Sequence, residues 1–245
     1  IIVGSSAVAL AVTAEAIYAQ LAVRRILRGI LSKENVSEQV TRKSFIRFYL
    51  PLAITPLASL LIHPVGSAGM SRMPEALPSL AAWPVVYGLV FITRSLGFAF
   101  NEVVVALLPH PNGKLELLRF TRILAISTSA FLGVLALTPI GGYWFLYVAG
   151  LSEELAYISS ITLVFAILMP GYQAYQAWYS GLLVNKNQTN GISFAVLIYA
   201  IIAIIGLWLG TRLATFPGIY WAVNVFVFAG LSQTLYLRYS YKRIG

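Results

Sequence analysis

The sequence predicts an all-α membrane protein, a polytopic bundle of seven transmembrane helices. Charged residues make up only 10% of the 245 residues and hydrophobic residues 59%, and the mean hydropathy is +0.81. A soluble domain has about 25% charged residues, which cover its surface, so most of this chain's surface must face lipid. Seven stretches are apolar over about 20 residues, the length that crosses a bilayer.

The limits of the seven spans follow from where apolar residues begin and end. They are approximately residues 1–23, 48–70, 80–108, 118–137, 155–184, 191–209 and 218–237. All are apolar on every side, as membrane helices are, rather than amphipathic. The first carries Glu15 near its middle. The second contains the prolines Pro51, Pro56 and Pro64.

The third to seventh spans differ in their polar content. The third holds Arg94 and Glu102, the fourth ends at Thr138-Pro139, and the fifth contains Pro170-Gly171. The sixth has no charged residue, and the seventh leads into a basic tail. Bent helices border the pathway in many transporters, but proline is also common in membrane helices generally. The prolines of spans two and five therefore suggest transport without specifying it.

Basic residues are distributed unevenly between the two sides of the predicted bundle. The formal net charge is +9, from 17 Lys and Arg against 8 Glu, with no Asp and no Cys. Fourteen of the 17 fall on one side: Arg24, Arg25, Arg28, Lys33, Arg42, Lys43, Arg47, Lys114, Arg119, Arg122, Lys186, Arg238, Lys242 and Arg243. This side is predicted to be cytoplasmic, with the C-terminus, in a multi-pass protein of the cell (inner) membrane. Membrane lipids, not nucleic acid, are the expected partners of these charges.

The longest polar stretch separates the first span from the other six. Residues 1–23 are predicted to be the last helix of a missing N-terminal lobe, residues 24–47 a basic cytoplasmic linker, and residues 48–245 a six-helix C-terminal lobe. The sequence starts with Ile1 rather than Met. One helix followed by six is natural for the second half of a protein built from two bundles, so we expect a longer protein.

Ionisable groups inside a bilayer are costly, and each suggests a functional site. Arg94 and Glu102 are eight residues apart, about two helical turns or ~12 Å along the axis, roughly on one face. They are predicted to line a cavity that binds a substrate, a proton or a counter-charge, although snorkelling or a structural contact would also explain them. Glu15 is either a weaker third site of this kind or a hydrogen bond between helices.

Span five adds a neutral polar face. Gln173 and Gln176, three residues apart, and an aromatic stripe of Tyr172, Tyr175 and Tyr179 suggest a lining for an amphiphilic or organic substrate. They equally suit contacts between helices and an interfacial aromatic belt. His63 is interpreted as a histidine at a helix end.

Enzyme chemistry is not expected. Without Asp or Cys, and with only His63 and His110, the chain offers no aspartyl protease site, no thiolate nucleophile and no metal site. No glycine-rich phosphate loop is present, so neither catalytic residues nor a cofactor are predicted. The main rival to a transporter is a seven-helix receptor or sensor, although the last span lacks the Lys of retinal proteins and the Asn-Pro pair of receptors.

Four segments resemble the second half of a flippase of the multidrug/oligosaccharidyl-lipid/polysaccharide (MOP) superfamily, to which the MATE-like transporters belong. They are FIRFYLPLAITPLASLL (45–61), TRSLGFAFNEVVVALLPH (93–110), TPIGGYWFLYVAGLSEELA (138–156) and PGYQAYQAWYSGLLVNKNQT (170–189). Within the superfamily the chain looks most similar to the progressive ankylosis type, through Gly97, Phe98 and Glu102.

The resemblance implies two six-helix lobes that rock in alternating access, with the substrate bound between them. The expected function is that of a secondary transporter or flippase for a small organic or lipid-linked substrate, with H⁺ or Na⁺ as the coupling ion, in which Arg94, Glu102, Gln173, Gln176 and Glu15 are the candidate binding residues.

Overall fold

The computed structural model describes residues 2–29, 42, 62–186 and 188–244, and the chain divides into two compact units. The first unit, Ile1–Tyr49, contains helix α1 (Ile2–Gly29), and the second is Leu50–Gly245. Helix α1 covers the first predicted span and continues six residues into the predicted linker. The rest of that linker, Arg42 apart, and most of the second predicted span lie outside the described residues.

The second unit is helical wherever its described residues have regular secondary structure. It contains α2 (62–70), α3 (Ala76–Leu107), α4 (Gly113–Leu137), α5 (Pro139–Tyr143), α6 (Glu153–Ala166), α7 (Leu168–Asn185), α8 (Asn190–Leu213) and α9 (Gly218–Ile244). Helix α5 continues as a π-helical turn, Trp144–Val148. In this part of the chain the all-α prediction is confirmed.

Five segments of the described residues are long and apolar enough to cross a membrane. They are Ala76–Leu107, Gly113–Leu137, Glu153–Asn185, Asn190–Leu213 and Gly218–Arg243. These segments coincide with the third to seventh predicted spans. A multi-pass membrane protein is the class that such helices indicate, whereas the total of seven spans remains a prediction.

The connection before α6 follows from ordinary capping chemistry. Pro139 occupies the first turn of α5, where its missing N–H leaves no hydrogen bond unmade, and the Thr138 hydroxyl accepts a hydrogen bond from the Ile140 N–H. Helix α6 is capped by the Ser152 hydroxyl, which accepts from the Leu155 N–H at 3.5 Å. Glu153 and Glu154 then fill its first turn, where acidic side chains suit the positive end of the helix dipole.

The fifth predicted span is a helix with a break three residues before its proline. Helix α6 ends at Ala166 and α7 starts at Leu168, with Ile167 between them. Proline has no N–H to donate, and its ring clashes with the carbonyl four residues earlier. For Pro170 that carbonyl belongs to Ala166. The α-helical hydrogen bonding is therefore interrupted between α6 and α7.

Helix α7 lies at the centre of the second unit and packs against α3, α4 and α9. Small residues let α7 approach α3 closely: a Cβ on Gly97 would lie 2.7 Å from Gln173 Cγ, and one on Gly181 would clash with Val104. Close helix contacts through glycine are typical of membrane bundles, where burial of apolar side chains gives little driving force. This contact places the polar face of α7 against the charged residue of α3.

Candidate substrate cavity

A cavity of about 570 Å³ lies among α2, α3, α7, α8 and α9. Polar side chains from all five of these helices line it alongside aliphatic and aromatic ones. The lining includes His63, Tyr87, Arg94, Asn101, Gln173, Gln176, Ser180, Tyr199 and Gln233. A concave, mostly apolar site with a few convergent polar groups is what small-molecule recognition requires.

Among the described residues that line this cavity, Arg94 is the only arginine or lysine. Its Nη2 donates a hydrogen bond of 2.7 Å to Gln173 Oε1. Its guanidinium carbon lies 5.5 Å from the ring centroid of Phe98 and 5.8 Å from that of Tyr172. Both distances suit cation–π attraction, and together these contacts hold the guanidinium group in one place.

The charge of Arg94 has no carboxylate partner in the described part of the cavity. No glutamate belongs to the lining, and the buried Arg94 Nε has no hydrogen-bond partner. The contacts that it does make are with an amide oxygen and two aromatic rings. A charge removed from water in this way is costly unless a counter-charge reaches it, so the cavity is suited to an anion.

Three of the five residues of α3 that line the cavity recur at intervals of seven. Tyr87, Arg94 and Asn101 all line the cavity, because seven residues at about 100° each return to nearly the same side of a helix. The buried Asn101 Oδ1 has no hydrogen-bond partner. Asn101 therefore offers an unused polar group on the same face of α3, about two helical turns after Arg94.

Glu102 is not part of this stripe. Its side chain is exposed and does not line the cavity. Eight residues turn the helix by about 80° from a common face, and Arg94 lines the described cavity whereas Glu102 does not. A role for Glu102 in binding a substrate or an ion remains a prediction, and on this geometry it would act outside the described cavity.

Gln173 and Gln176 both lie in the cavity and are buried, with 6% and 7% of their surface exposed. Gln176 Nε2 donates to the backbone oxygen of Gly230 at 3.0 Å and to Gln233 Oε1 at 3.3 Å. One glutamine therefore positions Arg94, and the other fixes α7 to α9. Gln176 makes a contact between helices, which was one of the two interpretations of these glutamines. Both glutamines also line the cavity, which was the other.

Glu15, the remaining candidate, lies on α1 in the first unit, where its side chain is exposed. All of the described residues that line the cavity belong to the second unit. The structure thus brings together Arg94, Gln173 and Gln176, three of the five candidate residues, and describes Glu15 separately.

Several lining residues were not predicted. His63, interpreted from the sequence as a histidine at a helix end, lies edge-on to the ring of Tyr87 with centroids 4.0 Å apart and lines the cavity. Asn101 had a signal in the sequence, its seven-residue spacing from Arg94. Gln233 had a weaker one, as an amide within an apolar span. Tyr199 had none, because a tyrosine in a membrane helix is unremarkable on its own.

Neither metal binding nor homology identifies the site further. Within residues 2–29, 42, 62–186 and 188–244, no three His or Glu side chains gather as they would around a metal ion. No family model, no curated protein and no solved structure matches the chain.

Proposed function

We propose that this chain is one lobe, with an adjoining helix, of a secondary transporter that moves an organic anion across the cell membrane. The observation that supports this most is Arg94, a guanidinium group held in a cavity of an apolar helical bundle with no carboxylate among the described lining residues. An intramembrane charge of this kind marks a substrate or ion pathway by default. The anion supplies the missing counter-charge.

The shape of the cavity suggests the rest of the cargo. Ile62, Phe98, Val184 and Val196 contribute apolar surface beside the amides. A substrate with an anionic group at Arg94 and an apolar or aromatic body would satisfy both parts of the lining. Lipid-linked anions belong to the same chemical class.

Alternating access is the mechanism that the MOP-superfamily resemblance supports. The second lobe would face this cavity and close it in turn from each side of the membrane. Coupling to H⁺ or Na⁺ and a cytoplasmic C-terminus belong to the same proposal.

The proposal is tested by following substrate analogues across the membranes of proteoliposomes that contain the complete transporter, with its second lobe. We expect uptake of benzoate and phenyl phosphate and exclusion of benzylammonium, a cation of similar size. Arg94→Ala should weaken anion binding by about ten- to hundredfold, the value of a hydrogen bond to a charged group, and should abolish transport while membrane insertion is retained. Arg94→Lys should keep only part of the wild-type affinity and transport rate, because an ammonium cannot form two parallel hydrogen bonds to one oxyanion.

Arg212→Ala is the matched control, since this arginine lies in the last turn of α8 and outside the cavity. It should leave uptake unchanged. Transport of the anions by Arg94→Ala at the wild-type rate would end the proposal. Anion binding without movement across the membrane would favour the receptor or sensor alternative.

A further inference from the structure

A second arrangement of charges lies away from the cavity, around Tyr241 near the end of α9. Lys114 Nζ lies 5.7 Å from the centroid of the Tyr241 ring and Lys186 Nζ lies 5.0 Å from it. The ring is half-buried and also faces Tyr179 at 6.4 Å between centroids. Lys114 belongs to the first turn of α4 and Lys186 follows α7, so three separate parts of the chain converge on one aromatic ring.

The surroundings of Tyr241 are strongly basic. The same helix ends carry seven exposed cations: Lys114, Arg119, Arg122, Lys186, Arg238, Lys242 and Arg243. Helices α3 and α4 contain one acid each, Glu102 and Glu116, and Glu116 lies in the same first turn of α4 as Lys114. A tyrosine ring attracts each ammonium through its negative face, but two ammonium groups at one ring repel each other. An anion between Lys114 and Lys186 would remove that repulsion.

The position of this cluster favours a lipid as the source of the anion. Tyr241 lies near the end of a helix long enough to cross a membrane, where aromatic rings and basic side chains meet phospholipid headgroups. Leu115, the neighbour of Lys114, is 73% exposed, and α4 continues with the exposed Ile123 and Ile126. An acyl chain can pack against this apolar surface, whereas a free anion would make no favourable contact with it.

We propose that Lys114, Lys186 and Tyr241 form a binding site for the phosphate of an anionic phospholipid, whose acyl chain lies along α4. Both ammonium groups donate hydrogen bonds to phosphate oxygens, and the ring of Tyr241 holds the two lysines on either side of the headgroup. The bound lipid joins the start of α4, the α7–α8 connection and the end of α9. The site is independent of transport through the cavity.

The site is tested by titrating the detergent-solubilised full chain with phosphatidylglycerol and counting bound lipid by native mass spectrometry. Two lysines near a membrane surface together contribute about a thirtyfold difference in affinity for an anionic lipid. We therefore expect Lys114→Ala/Lys186→Ala to bind phosphatidylglycerol about thirtyfold more weakly than the wild type. Lys114→Arg/Lys186→Arg keeps both charges and should keep most of the affinity. Phosphatidylcholine should bind equally to all three.

Arg72→Ala/Arg212→Ala is the matched control, because it removes two positive charges elsewhere on the same unit. It should bind phosphatidylglycerol like the wild type. Equal losses in the two double variants would show a general charge effect and overturn the proposed site, as would unchanged binding in Lys114→Ala/Lys186→Ala. Competition by inorganic phosphate at the same concentration as the lipid would assign the site to a free anion instead. Should the double variant fail to fold, each single lysine variant is expected to show about a fivefold loss.

Discussion

At the scale of single residues, the cavity depends on the missing side chain of Gly97. A Cβ at this position would lie 2.7 Å from Gln173 Cγ, 3.2 Å from its backbone carbon and 3.3 Å from Ala174 N. The backbone atoms of α7 cannot rotate away as a side chain can. The hydrogen bond between Arg94 and Gln173 therefore requires glycine one turn after the arginine.

We expect Gly97→Ala to lower the free energy of unfolding by about 1–3 kcal/mol, the usual cost of overpacking. It should also weaken binding of benzoate, because α7 must move away from Arg94. Thermal unfolding in detergent and a binding titration measure the two effects. Gly88→Ala is the control on the same helix: a Cβ there meets nothing within 4 Å, and alanine favours the helix by up to about 1 kcal/mol. Equal stability of the two variants would contradict the close contact.

The sequence identifies some site residues and not others for a physical reason. Arg94 and the two glutamines stand out because ionisable and amide groups are costly in lipid. The cavity is lined by Asn101 and not by its neighbour Glu102, since the side of a helix that faces inward is set by packing that no single residue reveals. His63 faces Tyr87 across α2 and α3, a contact between two helices that composition does not encode.

At the scale of elements, the interruption between α6 and α7 at Ile167 lies six residues before Gln173. The sequence predicts one span with Pro170 in its middle. The position of the proline does not mark the interruption, because the steric clash of a proline acts four residues upstream of its own position. Pro84 shows that proline need not break a helix: it is exposed within α3, which continues through it. Pro170, by contrast, is buried.

We expect Pro170→Ala to join α6 and α7 into a straighter helix and so to displace Gln173, which lies one turn later. Affinity for benzoate should fall about tenfold, the value of one hydrogen bond to a charged group. Pro84→Ala, which removes an exposed proline from the neighbouring helix, should bind benzoate like the wild type. A titration of both variants under one condition is the measurement. Wild-type affinity in Pro170→Ala would show that the break has no part in positioning the glutamine.

At the scale of the whole second unit, its two ends are chemically different. At one end, the Gly218 N–H donates to the Pro74 oxygen at 3.0 Å and the Ile219 N–H to Ser79 Oγ at 3.2 Å, which joins the start of α9 to the start of α3. At the other end, Lys114 and Lys186 meet at Tyr241. The counting of basic loops along the sequence had grouped these two lysines with the C-terminal tail. The contacts of Lys114 and Lys186 with Tyr241 of the tail agree with that grouping. The grouping depends only on the alternation of helices through five spans.

The side of the membrane on which the basic end lies is tested by single-cysteine labelling. The chain contains no Cys, so Lys114→Cys and Arg212→Cys each create one reactive thiol in an unmodified background. Since basic residues are retained on the cytoplasmic side, we expect an impermeant maleimide to label position 212 in intact cells and position 114 only after the membrane is opened. The two positions must behave oppositely, because an odd number of described spans, α4, α6–α7 and α8, separates them. Labelling of position 114 from outside would reverse the orientation, and labelling of both positions from one side would contradict the order of helices itself.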